Sequence, residues 1–184
     1  NVGICLYRFR MATDLIPLLF TGVDDATTRL RERLAGLTTR EYLWEPVTDV
    51  WTVRPGGDRW LVDAHEKAPE PAPVPTIAWR LWHIASDCLA TYASRSLGGW
   101  PLRVQGREWY GQVAPALEAL DLAVATFRDR VTALGEDGVR QPLGPAWGPY
   151  ADDSWAALVV HAQDELAHHG AEVALLRDLY LRLG

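Results

Sequence analysis

Residues 152–182 have the sequence DDSWAALVVHAQDELAHHGAEVALLRDLYLR. Its apolar residues recur every three or four positions, which is the period of an amphipathic α-helix. Asp152, Asp153 and Ser154 provide acidic and hydroxyl side chains, which satisfy free backbone N–H groups at a helix N-terminus. We therefore predict a long helix that begins at these residues and ends near Arg182.

Three earlier segments also have helical periodicity. The first follows the capping residues Thr13 and Asp14 and ends near residue 37. The second is TIAWRLWHIASDCLATYASRSLG, residues 76–98, whose apolar residues surround nearly the whole circumference, and the third covers about residues 114–134. An all-apolar circumference is typical of a buried helix, so the second helix is expected to be the most buried.

Residues 38–75 separate the first two helices and break every periodic pattern. They contain RPGG at 54–57 and PEPAPVP at 69–75, while residues 51–54 and 60–62 are short enough for isolated strands or turns. Segments rich in Pro and Gly are typical of connections. The sequence thus predicts an all-α fold, a four-helix bundle with a long crossover between helices one and two.

Composition and charge exclude several classes of function. The chain has 184 residues with a net charge of -6 and a pI near 5.3, and it has no basic stripe, which nucleic acids and anionic membranes require. Two isolated cysteines, Cys5 and Cys88, exclude a disulfide framework and predict a reducing, cytoplasmic setting. Cys88 falls on the apolar side of the second helix, where we expect inert packing. No apolar run approaches the roughly 20 residues of a membrane-spanning helix.

The segment NVGICLYRFR, residues 1–10, precedes the only methionine, Met11. Ten residues are too few for the three regions of a signal peptide. We interpret Met11 as the natural start, residues 1–10 as a leader that is non-native or disordered, and residues 11–184 as a single bundle domain.

The fourth helix carries the residues that can hold a metal ion. At about 100° per residue from His161, Glu165 falls near 40° and His169 near 80°, so His169 faces the core and Glu165 its edge. His168 and His161 point toward the rim, where His161 could still extend the row of ligands or form a hydrogen bond that orients one of them. A buried ionisable pair is costly unless it is paired or bound to a metal, so the alternatives are a hydrogen-bonded core histidine and a metal site.

A third ligand has to come from another part of the chain, and the remaining histidines are His65 and His83. His83 has the better position, because a rigid helix holds a ligand more precisely than the Pro-rich connection around His65 does. On a helical wheel, however, His83 shares the more polar side with Arg80, Asp87 and Ser94, which is also typical of a surface residue.

His83, Glu165 and His169 together would supply two imidazoles and one carboxylate. Such a set suits Zn or Ni first, and also Fe or Mn, and three protein ligands leave a position for water or substrate.

Five further residues could surround such a site. Asp87, one turn after His83, could orient its imidazole, and Arg80 could attract an anionic substrate, although an ordinary surface position explains each of them equally well. Trp79, Trp147 and Tyr150 could line an aromatic pocket, with core packing as the alternative.

The chain resembles members of the DinB-like superfamily, which includes the thiol-dependent maleylpyruvate isomerases. The resemblance extends from Met11 to the C-terminus and is carried by four motifs: TIAWRLWHIASDC at 76–88, HAQDELAHHGAEVALLRDLY at 161–180, EYLWEP at 41–46 and WGPY at 147–150. It implies an up-down-down-up bundle that binds a divalent metal through His83, Glu165 and His169. Many relatives have histidine where Glu165 stands, and the carboxylate resembles the isomerase branch.

The resemblance implies two functions of different classes. One is a metal-dependent transferase or isomerase that uses a low-molecular-weight thiol of the mycothiol or bacillithiol type on a small molecule, since a divalent metal favours the thiolate. The alternative is a non-catalytic, stress-related metal- or ligand-binding protein whose metal stabilises the bundle. In either case an apolar patch on the second helix could support a homodimer.

Overall fold

The computed structural model describes residues 14–64, 67 and 69–184. The expected leader at residues 1–10, the proposed start at Met11, the capping residue Thr13 and His65 lie outside the described residues. The described part is mostly helical with one small sheet, so the predicted all-α fold class is confirmed.

The described elements in chain order are α1 (Leu15–Leu34), α2 (Thr39–Tyr42), β1 (Val53–Gly56), β2 (Arg59–Val62), α3 (Ile77–Trp82), a π-helical segment (His83–Ala90), α4 (Thr91–Arg95), β3 (Glu108–Trp109), α5 (Val113–Ala133), α6 (Gly135–Gly138), a 3₁₀ segment (Pro145–Tyr150) and α7 (Trp155–Leu183). α3, the π-helical segment and α4 follow one another directly and form one long helix, which we call the central helix. α1 packs along α7, and the central helix packs against α5 and α7. Among the described residues, no helix is both long enough and apolar enough to cross a membrane.

Helix α1 buries one face and has a cap that the sequence does not predict. The carboxylate of Glu136 accepts hydrogen bonds from the backbone N–H groups of Leu15 and Ile16 at 2.9 and 3.0 Å, whereas the side chain of Asp14 makes no capping bond. The helix ends three residues before its predicted end, because Gly36 adopts a φ of 72° that an L side chain rarely takes. Its buried face consists of Phe20, Val23, Ala26, Thr27, Leu30 and Leu34.

The long crossover contains more structure than isolated strands or turns. β1 and β2 form an antiparallel hairpin. β3, which follows the central helix in the chain, pairs with β2 and completes a three-stranded sheet. Gly57 in the hairpin turn has a φ of 76°, which is the left-handed conformation that such a turn requires. The sheet therefore ties the crossover to the segment that follows the central helix.

The caps of the two helices that carry the predicted site are serine and threonine hydroxyls. Ser154 accepts a hydrogen bond from Ala157 N at 3.1 Å at the start of α7, as the sequence predicts. Thr76 accepts one from Trp79 N at 3.3 Å at the start of the central helix. The predicted bounds of this helix are right within three residues at the C-terminal end, but its π-helical middle is not expected from a 3.6-residue period.

Two motifs that are distant in the sequence meet through a buried ion pair. Glu41, in EYLWEP, is 3% exposed, and its Oε1 lies 2.6 Å from Nε of Arg177 in LLRDLY. Arg177 also donates to the carbonyl oxygen of Ala35 at 2.8 Å. This contact anchors α2 and the end of α1 to the C-terminal half of α7.

Candidate metal centre

Three side chains from two helices converge at one point. Nε2 of His83, on the central helix, lies 3.3 Å from Oε2 of Glu165 on α7, and Nε2 of His169 lies 3.0 Å from the same oxygen. One ligand atom of each residue lies within 4.8 Å of the others. The side chain of His83 is 19% exposed and turns toward α7, so His83 is not an exposed residue on the polar side of the central helix.

The other ring nitrogen of each histidine meets a carboxylate. Nδ1 of His83 lies 3.1 Å from Oδ2 of Asp87, and Nδ1 of His169 lies 2.7 Å from Oε2 of Glu172. An ionised carboxylate only accepts hydrogen bonds, so with a cation bound between the two Nε2 atoms and Glu165 each imidazole would carry its proton at Nδ1. Both Nε2 lone pairs would then point at the cation, which is the arrangement that orients histidine ligands in metal sites.

A second layer of contacts fixes these orienting groups. Arg80, predicted as an attractor of anionic substrate or an exposed arginine, is instead half-buried and pairs with Glu172, with Nε 2.5 Å from Oε2. The indole of Trp79 stacks on the ring of His83, with centroids 5.4 Å apart and planes at 14°. Trp79 also donates from Nε1 to the carbonyl oxygen of Asp63 at 2.8 Å. Trp79 thus lies against His83, and Arg80 contacts Glu172, the partner of His169.

The spacing of the donor atoms fits a divalent metal. In a tetrahedral site with bonds of about 2.1 Å, nitrogen and oxygen donors lie about 3.4 Å apart. The observed separations of 3.3 and 3.0 Å need only small side-chain movements to reach that geometry. The donor set of two imidazoles and one carboxylate suits Zn, Ni, Fe and Mn.

The charges of the cluster favour an ionised Glu165 beside a neutral His169. Burial alone would raise the pKa of Glu165, but His83, His169 and His161 outweigh it and lower the pKa below its ordinary value. Burial lowers the pKa of His169 below the ordinary 6.5, and nearby Arg80 adds to this, although the hydrogen bond to Glu172 opposes it. At neutral pH Glu165 is therefore negative and His169 neutral, which are the forms that bind a cation.

Cys88 also reaches the cluster. Its side chain is buried, as predicted, but Sγ lies 3.6 Å from Nε2 of His83 and 3.6 Å from Oε2 of Glu165. The buried position agrees with the expected packing, and the side chain in addition contacts two of the three donors. Burial, together with the negative charge of Glu165, raises the pKa of the thiol, so Cys88 is protonated at neutral pH when no cation is present.

A pocket of about 380 Å³ adjoins the centre. His161 connects the two, because its Nε2 lies 3.4 Å from Oε1 of Glu165 while its ring lies in the pocket wall. Trp147 and Tyr150 are predicted near the site from the sequence, and both line this pocket. Among the described residues, neither has a recorded contact with the three donors. Its full lining is Tyr92, Arg95, Leu143, Trp147, Tyr150, Asp153, Ala157, Leu158 and His161.

The sequence did not reveal three residues of this region. Glu172 lies three residues after His169, a spacing that places it on the same helical face, but the sequence does not show which way the imidazole turns. Cys88 and Tyr92 lie on the central helix, where a wheel drawn at 100° per residue misplaces every side chain beyond the first π-helical turn.

His168 is 63% exposed, with Nε2 3.7 Å from Oε1 of Glu172. It forms with His169 and Glu172 a second, more exposed group that could hold an ion.

The model of the DinB superfamily matches residues 23–173 of this chain. The chain belongs to the DinB superfamily. The matched range contains His83, Glu165 and His169, the carboxylates of Asp87 and Glu172 beside the two histidines, and Cys88. No curated protein and no solved structure matches the chain significantly.

Proposed function

We propose that this DinB-superfamily protein binds a divalent metal through Nε2 of His83, a carboxylate oxygen of Glu165 and Nε2 of His169. The observation that carries the proposal is the pair of carboxylates, Asp87 and Glu172, that hold the opposite nitrogens of both histidines. Carboxylates in these positions orient imidazoles and raise their basicity as ligands. Zn or Ni is the first expectation for the ion, with Fe and Mn as the other candidates.

The adjoining pocket supports a reaction on a small molecule. A bound metal would act as a Lewis acid that favours the thiolate form of a low-molecular-weight thiol, such as mycothiol or bacillithiol. The aromatic walls would bind the apolar body of the second substrate, and Arg95, which stacks over Trp147 with its guanidinium carbon 4.9 Å from the ring centroid, would attract a negative group. His161 lies at the boundary of the pocket and the centre, where it can accept or donate a proton. We propose a thiol-dependent transferase or isomerase.

The second candidate is a non-catalytic protein in which the metal stabilises the bundle. It is favoured by one observation: His83 comes from the central helix, whereas Glu165 and His169 come from α7, so a metal would cross-link two helices of the core. Binding to the native state alone raises stability by mass action. A cytoplasmic location and a homodimer belong to the same proposal, although Trp79 and Trp82 of the central helix are buried within the chain and supply no exposed patch.

Metal analysis of the full chain, purified without chelator and after reloading, tests the proposal. We expect about one Zn or Ni ion per chain, and loss of that ion in His83→Ala and His169→Ala. His168→Ala is the matched control, since His168 neighbours His169 on α7 but its side chain is 63% exposed. A wild-type chain that takes up no metal, or an equal loss in His168→Ala, contradicts the proposal.

Thiol binding then separates the two candidate functions. A small thiol titrated into the metal-loaded chain should bind, and should bind much more weakly to the metal-free chain, if the centre serves a reaction. If the thiol does not bind but metal removal lowers the melting temperature, the structural function is supported instead.

A further inference from the structure

The thiol of Cys88 contacts two of the three donors. Sγ lies 3.6 Å from His83 Nε2 and 3.6 Å from Glu165 Oε2. In a tetrahedral site with a metal–sulfur bond of about 2.3 Å and a metal–nitrogen bond of about 2.1 Å, these atoms lie about 3.6 Å apart. The two observed separations match this value.

The π-helical segment explains how a residue five positions after His83 reaches this point. In an α-helix, five residues at 100° each would place Cys88 about 140° away from His83 around the axis. In a π-helix each turn closes between residues five apart, so the two side chains lie one above the other. The backbone N–H of Thr91, at the end of the segment, bonds to the carbonyl oxygen of Ser86 in this i to i−5 pattern.

We propose that Cys88 is a fourth protein ligand of the metal, which gives a centre of two histidines, one glutamate and one cysteine. The inference rests on the proposed metal binding. On ligation a sulfur–metal bond forms, the S–H bond breaks heterolytically, and the proton leaves to solvent. No electron is transferred, so no oxidant or reductant is required.

A thiolate ligand has two consequences for the function. It is a soft donor, so it shifts the preference of the centre toward Zn and away from Mn. It also fills the fourth position, so that a small thiol or a substrate has to enter as a fifth ligand or displace Cys88. Access of a small molecule to the metal would therefore depend on whether Cys88 stays bound.

Absorption spectroscopy of the Co²⁺-loaded full chain tests this inference. We expect visible ligand-field bands together with a near-ultraviolet thiolate-to-Co²⁺ charge-transfer band. Cys88→Ser should lose the charge-transfer band and keep the ligand-field bands. The matched control Cys5→Ser removes the other cysteine of the chain and should keep both.

The outcomes distinguish this inference from the proposed function. Ligand-field bands without a charge-transfer band in the wild type, or an unchanged spectrum in Cys88→Ser, overturn the cysteine ligand and leave metal binding intact. A wild-type chain that binds no Co²⁺ overturns both. X-ray absorption on the Zn-loaded wild type needs no variant: a sulfur shell near about 2.3 Å supports the inference, and a shell of nitrogen and oxygen alone contradicts it.

Discussion

Nδ1 of His169 lies 2.7 Å from Oε2 of Glu172, one helical turn further along α7. Glu172 is held in turn by the guanidinium of Arg80 from the central helix. This chain of contacts orients the imidazole of His169 and keeps its Nε2 directed at Glu165. The metal-binding geometry of one helix therefore depends on a cation supplied by the other.

Glu172→Gln is expected to weaken metal affinity by about 10–100-fold without changing the number of ions bound, because an amide orients the imidazole less strongly than a carboxylate. Competition with a chromophoric chelator measures the affinity. Asp164→Asn is the matched control, since Asp164 is exposed on the same helix. Equal affinities in wild type and Glu172→Gln would show that the contact does not serve the metal.

The stability of the metal-free chain should fall as the pH is lowered from 6.5. The folded-state pKa of His169 lies below the ordinary 6.5, so between the two values the unfolded chain binds a proton that the folded chain does not. The folded-state pKa of Glu165 is also lowered, so below the ordinary 4.5 the folded chain again binds fewer protons than the unfolded chain. Each such proton lowers the free energy of unfolding by up to about 1.4 kcal/mol per pH unit.

Urea unfolding of the metal-free chain between pH 7.5 and roughly pH 5 measures this effect. His169→Gln removes the titrating imidazole and should flatten the pH dependence in this window. A dependence that is equally steep in His169→Gln would assign the effect to other groups.

The ion pair between Glu41 and Arg177 is expected to contribute strongly to stability. Arg177→Ala leaves the carboxylate of Glu41, which is 3% exposed, without its partner and should lower the free energy of unfolding by about 3–5 kcal/mol. Arg182→Ala, near the end of the same helix, removes an exposed arginine and should change it by less than about 0.5 kcal/mol. Denaturant unfolding measures both, and similar midpoints for the two variants would contradict this account.

Filling the pocket should separate reaction from metal binding. Ala157 lines the pocket and is exposed, so Ala157→Trp can occupy part of its volume without contact with the donors. We expect thiol or substrate binding to fall at least about tenfold, with metal content unchanged. Val160→Trp is the control, because Val160 is exposed on α7 outside the pocket lining. Unchanged binding in Ala157→Trp would place the reaction elsewhere.

The sequence predicts those parts of the centre that follow from ideal helix geometry. Glu165 and His169 share one straight α-helix, so their four-residue spacing is enough to bring them together. Ser154 is predictable as a cap because capping depends on neighbouring backbone alone. His83 needs a contact between helices, so its residue pattern fits a ligand and a surface residue equally, and only the resemblance to DinB-like proteins favours the ligand.

The remaining parts depend on tertiary structure. Cys88 faces His83 only because the central helix widens to a π-helix, which residue periodicity does not indicate. β3 has two residues and pairs with a strand that is distant in the chain, so no local sequence pattern predicts it. The cap that Glu136 provides for α1 is likewise a long-range contact.

A crystal structure of the metal-loaded chain, with an anomalous difference map at the absorption edge of the metal, shows directly where the ion binds. We predict one peak bonded to Nε2 of His83, a carboxylate oxygen of Glu165 and Nε2 of His169. A peak at the more exposed group of His168, His169 and Glu172, or no ordered peak in crystals of the loaded protein, would contradict the account.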